Sequence, residues 1–234
     1  MTHRLLCCSD THGQLPPVLD ETGATAWLHG GDVADGPTLS GDDSSPFADP
    51  LREPIARWFA SRPVPVLAVR GNHDTADEFH AFRSADDVTG RVVKVADGLF
   101  VAGVGWHGGW YGELPRESDL RPVCDAVERH VRRIVMPSDR LVLLTHYPPR
   151  LPGMREMERD VRDGGTWYDC VHELAEATSP VAVVQGHIHQ WAGTSQTVEL
   201  GGWAVTIFHP GRSGGTLCVD RARGGGVTIE WPVR

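Results

Sequence analysis

Residues 66–74 read VLAVRGNHD, in which an apolar segment leads directly into an amide, an imidazole and a carboxylate. The run of apolar and β-branched residues predicts a buried strand over 65–70. Gly71 indicates a turn whose backbone conformation is unfavourable for residues other than glycine. Ligands and substrates of α/β proteins bind outside the carboxyl ends of the strands. The three polar residues that follow Gly71 therefore mark a candidate functional site at the edge of a sheet.

Four other predicted strands end in polar residues of the same kinds. Asp10 and His12 follow a strand over 4–9, Asp32 and Asp35 follow 24–29, His146 follows 140–145, and His187 and His189 follow 181–185. Because the carboxyl ends of strands can meet at one crevice, these side chains can converge with Asn72 on a single site. One such residue alone is ordinary turn chemistry, whereas five strand ends in this order predict a shared site.

The candidate ligands are carboxylates, imidazoles and one amide, with no thiolate. This set is typical of divalent ions such as Mn, Fe, Co, Ni or Zn, whereas a structural zinc site more often uses cysteine. There are more candidate ligands than one ion needs, so the sequence predicts two divalent metal ions. Two ions about 3.5–4 Å apart need a ligand with two oxygens between them. Asp32 is the best candidate for this bridge.

Strands alternate with helices over most of the chain, and its final part contains strands only. Helices are predicted at 51–61, 119–135 and 169–177, a helical turn near 76–83, a hairpin of 91–95 and 99–104 around Asp97-Gly98, and late strands at 196–200, 203–208, 216–219 and 226–231. Continuous apolar strands joined by helices predict an α/β fold whose sheet is covered on both faces, and the late strands predict a second sheet. We expect one domain over 1–234, with loops at 36–50, 107–118 and 148–168.

The composition limits the classes of function. With a formal net charge of −9 and no basic cluster, the chain lacks the electrostatic footprint of a nucleic-acid-binding protein. The sequence contains no apolar run of about 18 residues that could span a membrane, and its first residues lack the apolar core of a signal peptide. Five cysteines without CxxC spacing favour reduced, buried thiols. We therefore expect a cytoplasmic protein that acts on a small molecule rather than on nucleic acid or a membrane.

The ordered motifs DTH, GDVAD, GNHD, a lone histidine after a strand, and GHIH resemble those of the calcineurin-like metallophosphoesterase superfamily. The resemblance implies a four-layer α/β/β/α sandwich, in which two mixed β-sheets are flanked by helices, and a dinuclear metal centre. It implies that Asp10, His12 and His189 hold the first ion, that Asn72, His146 and His187 hold the second, and that Asp32 bridges the two. It also places His73 against the substrate with Asp74 behind it, and Asp35 in a supporting position.

This set of residues suits hydrolysis of a phosphate ester or anhydride. Two ions lower the pKa of the water that bridges them, and the resulting hydroxide attacks phosphorus in line. The leaving alkoxide then needs a proton, and a histidine oriented by a carboxylate suits that task near neutral pH. We therefore expect His73 to be the general acid and Asp74 its orienting partner. Because Asn72 and His73 are adjacent, their side chains should diverge, one toward a metal and one toward the leaving group.

Three alternatives stay open at this point. The same core could serve a nucleotide pyrophosphatase, or a nuclease or protein phosphatase, although the acidic charge argues against the last two. A non-catalytic binding scaffold with this fold is the third alternative, but the loss of metal ligands would mark it, and all of them are present. The sequence sets neither the identity of the metals, nor the choice of monoester or diester, nor the oligomeric state.

Five further residues have two interpretations each. His29 either supports a metal ligand from behind or packs in the core. His209 stands where many relatives carry an asparagine before Pro-Gly, and we favour a turn residue over a substrate contact. His107 lies in an aromatic, glycine-flanked loop that either stacks on a substrate ring or packs as an ordinary loop. Arg150 and Arg155 follow the lone histidine and either meet phosphate or are exposed to solvent.

Overall fold

The computed structural model describes residues 2–33, 52–74, 85–106, 113–150, 167–222 and 226–232, without the side chains of residues 52 and 53. In these ranges the chain forms twelve strands, three α-helices and one 3₁₀ turn. In chain order they are β1 (Thr2–Cys8), β2 (Ala24–His29), α1 (Arg52–Ala60), β3 (Val66–Ala68), β4 (Asp86–Asp87), β5 (Val92–Ala96), β6 (Leu99–Val104), α2 (Glu117–Ile134), β7 (Arg140–Thr145), α3 (Asp169–Thr178), β8 (Ala182–Gln185), the 3₁₀ turn (His189–Trp191), β9 (Thr194–Leu200), β10 (Trp203–His209), β11 (Gly215–Asp220) and β12 (Val227–Glu230).

The strands form two mixed sheets of six strands each. The first sheet has the order β12-β11-β1-β2-β3-β4, in which β1 to β4 are parallel and β11 and β12 are antiparallel to their neighbours. The second has the order β5-β6-β7-β8-β10-β9, in which β6, β7, β8 and β10 are parallel and the two outer strands are antiparallel. Parallel neighbours need a crossover connection. The helices α1, α2 and α3 lie in the connections β2–β3, β6–β7 and β7–β8.

Apolar side chains form three cores, which stack the sheets and helices in four layers. One core lies between the sheets and takes Leu5 from the first sheet and Val142 from the second. Another joins the outer face of the second sheet to α2 and α3, and the third joins the outer face of the first sheet to α1. Consecutive strand residues point to opposite faces, so Val183 belongs to the outer core and Val184 to the core between the sheets. These layers are the expected α/β/β/α sandwich.

The register of the parallel strands brings their carboxyl ends to one edge. In the first sheet Cys8 pairs with His29, and His29 pairs with Ala68. In the second sheet Thr145 pairs with Gln185. The chain leaves each strand within a few residues of these pairs, so the polar segments that follow the strands are brought together.

The predicted strands and helices agree with the observed ones to within two residues at each end. The structure adds β4 (Asp86–Asp87), which the sequence did not predict. The predicted helical turn near 76–83 and the predicted loop at 36–50 lie outside the described residues, as do 107–112 and 151–166 of the other two loops. All five cysteines are buried and free, as expected. Within the described ranges no helix has the length and apolar character needed to cross a membrane.

Candidate metal centre

One cluster of ligand atoms joins the two sheets at this edge. It consists of Asp10 and Asp32 from the first sheet's loops, His12 beside them, and His189 after β8, and their ligand atoms all lie within 4.8 Å of one another. The Nε2 atoms of His12 and His189 are 3.0 Å apart. Nε2 of His189 lies 3.6 Å from an oxygen of Asp10, and Nε2 of His12 lies 3.7 Å from Oδ2 of Asp32. These four residues are the predicted ligands of the first ion together with the predicted bridge.

A second cluster lies on the other side of Asp32. Oδ1 of Asn72 is 3.1 Å from Nε2 of His146 and 3.2 Å from Nδ1 of His187. Nε2 of His146 is also 3.4 Å from Oδ2 of Asp32. The structure therefore brings together the three residues predicted to hold the second ion.

Asp32 lies between the two clusters and is buried, with 2% of its surface exposed. The same oxygen, Oδ2, faces His12 in one cluster and His146 in the other. Its other oxygen, Oδ1, accepts a hydrogen bond of 2.9 Å from the backbone N–H of His73. Asp32 therefore has the placement of a bridge, but one oxygen, Oδ2, faces both clusters instead of the two oxygens that the sequence predicted.

The protonation states of these side chains fit a pair of cations. Nδ1 of His146 lies 2.8 Å from the carbonyl oxygen of Gly30. A carbonyl only accepts, so Nδ1 carries the proton and, in the neutral ring, Nε2 directs a lone pair toward Asn72 and Asp32. Burial lowers the pKa of His146 and lowers that of His187 to about 3, which keeps both imidazoles neutral near pH 7. A nitrogen lone pair that faces an amide or carboxylate oxygen is repelled by that oxygen unless a cation lies between them.

Asp10 gives a second test of fit. Its Oδ1 accepts a hydrogen bond of 2.8 Å from the backbone N–H of His187. Its Oδ2 is buried and has no hydrogen-bond partner of good geometry among the described residues. Burial opposes ionisation, but the hydrogen bond with His189 outweighs it and holds the pKa of Asp10 well below its usual value. An ionised, buried and unpaired oxygen is suited to a metal ion.

Backbone strain is concentrated on the candidate ligands. Five non-glycine residues in the described ranges have a left-handed φ, and four of them are Asp10 (54°), His12 (45°), Asp32 (52°) and His187 (73°). Such a conformation costs on the order of 1–3 kcal/mol per residue and persists only where the surroundings enforce it. The fifth, Ser179, ends α3. The strained turns aim the ligands at one place, as expected of a functional site.

Two glycines allow the loops to approach the ligands closely. A Cβ on Gly31, whose φ is +92°, would lie 2.5 Å from Nδ1 of His146. A Cβ on Gly71 would lie 2.1 Å from Oδ1 of Asp32 and 2.7 Å from its backbone nitrogen. Gly71 itself does not have a left-handed φ, so its predicted role as a strained turn was wrong. The chain needs glycine there because the Asp32 loop lies against it.

The side chains of Asn72 and His73 diverge, as their adjacency suggested. Asn72 faces the second cluster, whereas the ring of His73 packs edge-on against His12 of the first, with ring centroids 4.8 Å apart. The carboxylate of Asp74 accepts hydrogen bonds from the backbone N–H groups of Val33 (2.8 Å) and Gly71 (3.0 Å). These bonds tie the second loop to the third. The orientation of His73 by Asp74 stays a prediction.

His29 holds a supporting position behind the ligands. Its Nε2 lies 3.1 Å from Oγ1 of Thr11, which stands between Asp10 and His12. The ring is buried and packs edge-on against Phe59. Burial lowers the pKa of His29 to about 3. The ring therefore packs in the core, and it also contacts the loop that carries Asp10 and His12.

Other sequence-based interpretations have mixed outcomes. His209 is the last residue of β10 and is buried, so the preference for a turn residue was wrong. Arg150 is exposed and forms an ion pair with Asp169. Asp35, His107 and Arg155 lie outside the described residues. Sequence reasoning also missed Gln185, which is buried at the end of β8 beside the GHIH motif.

Comparison with known proteins identifies the family. The model of the calcineurin-like phosphoesterases matches residues 3–191, a span that contains every candidate ligand. The chain belongs to this family. A probable cyclic nucleotide phosphodiesterase from Synechococcus sp. is 24% identical over 153 residues, which are 65% of this chain and 56% of that protein. The match therefore spans little more than half the length of this relative.

Solved structures share the fold of this calcineurin-like phosphoesterase. The protein TT1561 of Thermus thermophilus superposes with a TM-score of 0.55 at 18% identity, covering 99% of each chain. The phosphopantetheinyl hydrolase of Mycobacterium tuberculosis superposes with a TM-score of 0.53 at 12% identity, covering 88% of this chain and 89% of that one. At these identities the likeness extends to the two-sheet sandwich and not to the substrate.

Proposed function

We propose that this protein is a metal-dependent phosphoesterase with a dinuclear centre. The observation that carries the proposal is the position of Asp32, whose Oδ2 lies 3.7 Å from His12 in one ligand cluster and 3.4 Å from His146 in the other. Membership of the calcineurin-like family supports the same reaction. When bound, two divalent cations such as Mn, Fe, Co, Ni or Zn supply the positive charge that activates water and neutralises phosphate oxygens.

His73 is the proposed proton donor. Its backbone N–H is held by Asp32, and its ring borders the first cluster at His12. A side chain at the border of the centre can reach the leaving group, which points away from the attacking water in an in-line displacement. Protonation of the leaving oxygen by a positioned imidazole stabilises the developing alkoxide. Asp74 is proposed to orient His73 through the loop that carries both residues.

The proposed substrate is a small phosphorylated molecule. The Synechococcus relative is named a probable cyclic nucleotide phosphodiesterase, which favours a phosphodiester and makes cyclic nucleotides the first compounds to test. The net charge of −9 disfavours a long nucleic acid, because such a polyanion gains no general attraction to an acidic surface.

A substrate panel tests the proposed function directly. Phosphomonoesters, phosphodiesters, cyclic nucleotides and nucleotide anhydrides are assayed with Mn, Fe, Co, Ni and Zn in turn. We expect hydrolysis that a chelator abolishes and added metal restores, with cyclic or other diesters as the best substrates. Absence of hydrolysis by protein that holds two ions per chain would contradict the proposal and favour the binding scaffold.

The His73→Ala variant tests the assignment of the acid. We expect it to keep both ions, because His73 is not among the proposed ligands. Turnover of substrates with poor leaving groups should fall by about 10²–10⁴-fold. Turnover of an activated aryl phosphate, whose leaving group needs no proton, should fall much less. Steady-state kinetics on the two substrate types, with metal analysis of each preparation, measures these effects.

The matched control is His130→Ala, which removes a half-exposed histidine of α2 on the far side of a core. It should leave both activities unchanged. Loss of metal from the His73→Ala variant, or an equal loss of both activities, would overturn the assignment of His73 as acid while leaving the phosphoesterase proposal intact.

A further inference from the structure

A small cavity of about 70 Å³ lies against the second sheet beside the metal centre, and Gln185, Trp191 and His209 line it. Strand register explains how these residues meet. Ile207 and Phe208 of β10 pair with Val183 and Val184 of β8, so the next residues, His209 and Gln185, are neighbours. Ile207 and Val183 pack in the outer core, and residues two apart on a strand share a face. Gln185 and His209 therefore face the same side as this outer core.

Two buried side chains that line the cavity carry polar atoms without well-formed hydrogen bonds to the rest of the protein. Gln185 is 1% exposed and His209 is 2% exposed. Neither Oε1 nor Nε2 of Gln185, and neither ring nitrogen of His209, has a hydrogen-bond partner of good geometry among the described residues. Buried polar atoms are almost always paired, since leaving them unpaired is costly. The ring of His209 reaches the backbone of Gly186 only with poor geometry, so these four poorly paired atoms on two adjacent side chains indicate that something polar belongs in this cavity.

The lining favours an uncharged occupant. No lining residue carries a carboxylate, an ammonium or a guanidinium group. Burial lowers the pKa of His209 to about 4, so the ring is neutral near pH 7. A carboxamide and a neutral imidazole each offer one donor side and one acceptor side. A charged group in such surroundings would keep its desolvation penalty without a counter-charge.

The size and the walls restrict the occupant further. About 10–15 Å³ of cavity space is enough to hold one water molecule, so the cavity of about 70 Å³ has room for several waters or for one small polar group. Trp191 and Ile207 supply flat and apolar walls, and Thr194 and Gln196 continue the polar row on β9, opposite His209 and Ile207. A planar group with a donor and an acceptor on one edge matches this combination.

We propose that this cavity binds the uncharged, amide-type group of a small molecule through Gln185 and His209. The group is recognised by its adjacent donor and acceptor, whether a carboxamide or the edge of a nucleobase supplies them. Two lining residues lie close to candidate metal ligands along the chain: Gln185 is two residues before His187, and Trp191 is two residues after His189. Binding there does not require hydrolysis, so the proposal can fail while the phosphoesterase activity stands.

Acetamide binding to the metal-free, chelator-treated protein tests the proposal. ¹H–¹⁵N NMR follows the indole N–H of Trp191, which the Trp191→Phe variant assigns. We expect a saturable shift with acetamide and none with acetate, which has the same shape but carries a charge. A small nucleobase such as uracil, titrated in parallel, shows whether the cavity also admits a ring. Absence of a saturable shift with acetamide, or an equal response to acetate, would overturn the proposal and leave water as the only occupant.

Variants locate the binding. Gln185→Leu and His209→Leu should each weaken acetamide binding by about tenfold or more, because each removes a donor–acceptor pair. Thr197→Val, an exposed change on β9 that lies outside the lining, should bind acetamide like the unchanged protein. Gln185→Glu keeps the shape of the side chain and adds a charge, so it should also lose acetamide binding. It serves as the second variant in case Leu at this position disturbs the fold. Unchanged affinity in folded Gln185→Leu and Gln185→Glu proteins would refute the site.

Discussion

Asp32 is the residue on which both halves of the candidate metal centre depend. The Asp32→Asn substitution keeps the size of the side chain and an oxygen that can accept the hydrogen bond from His73, but it removes the negative charge between the clusters. Because Oδ2 faces both His12 and His146, we expect the affinities of both ions to fall together. Titration calorimetry and elemental analysis measure this loss. Asp97→Asn, in the exposed hairpin turn, is the control. One ion fully retained would show that Asp32 serves a single site.

Substitution of Asp74 distinguishes a structural role of this residue from a role in orienting His73. Its two oxygens accept hydrogen bonds from Val33 and Gly71, and the Asp74→Asn side chain has only one oxygen to offer. One backbone N–H then faces an amide N–H, which should cost about 1–3 kcal/mol in the free energy of unfolding. Urea denaturation of metal-free protein measures it, with the exposed Asp125→Asn of α2 as control. Unchanged stability with reduced turnover would instead mean that Asp74 acts mainly through His73.

Residue identities and their order along the chain were enough to select the side chains that the structure brings together. Carboxylate, imidazole and amide groups at successive strand ends carry that information locally. The sequence could not show that Asp10, His12, Asp32 and His187 adopt a left-handed backbone, because ordinary residues reach that state only under tertiary constraint. His209 was misjudged for the same reason, since its burial comes from β8 and β9, which pair with its strand.

At the scale of single elements, the loop after β3 depends on a close approach of two backbones. Gly71→Ala would place Cβ 2.1 Å from Oδ1 of Asp32 and 2.7 Å from the Asp32 nitrogen. One of the loops must move, so we expect a loss of about 1–3 kcal/mol or more in the free energy of unfolding and weaker binding of both ions. Chemical denaturation and metal titration measure the two effects. Gly226→Ala, where Cβ would meet nothing within 4 Å, is the matched control. Equal behaviour of the two variants would refute the close approach as the reason for glycine.

The elements were predictable to the extent that a periodic pattern spans them. In α2 the buried residues Leu120, Cys124, Val127 and Val131 recur at helical spacing, and the apolar parallel strands are equally clear. β4 was missed because its two residues, Asp86 and Asp87, carry no periodic signal. Its pairing with Leu67 and Ala68 is a tertiary event. The 3₁₀ turn at His189–Trp191 follows the GHIH motif directly and is likewise too short to leave a pattern.

At the scale of the whole molecule, the layered fold buries Asp32, His146 and the neighbouring His29, and leaves His189 exposed at the edge of the sheets. His29, which is 1% exposed, lies two residues after Trp27 on β2 and so on the outer face of the first sheet. The helix α1 covers the outer face of the first sheet, and its Phe59 closes the environment of the His29 ring. The resistance of the fold to acid therefore depends on a histidine that is not itself a proposed ligand.

The buried His29 predicts how stability changes with pH. Burial lowers its pKa from 6.5 in the unfolded chain to about 3 in the folded protein. Below pH 6.5 the unfolded state therefore binds a proton that the folded state does not, so stability is full above pH 6.5 and falls as the pH decreases toward 3. For this single group the loss approaches about 1.4 kcal/mol per pH unit. The His29→Gln side chain does not titrate and can still bond to Thr11, so its stability should fall less steeply between about pH 6.5 and pH 4.

Urea denaturation of metal-free protein, performed with a chelator at each pH, isolates this effect from the release of ions. His130→Gln controls for the removal of a histidine as such and should keep the steepness of the unchanged protein. Since the difference between the two variants comes from the burial of one imidazole, it should be largest near about pH 4 and vanish above about pH 7. Parallel curves for His29→Gln and the unchanged protein over this range would mean that His29 is protonated in the folded state, with water or a counter-charge beside it.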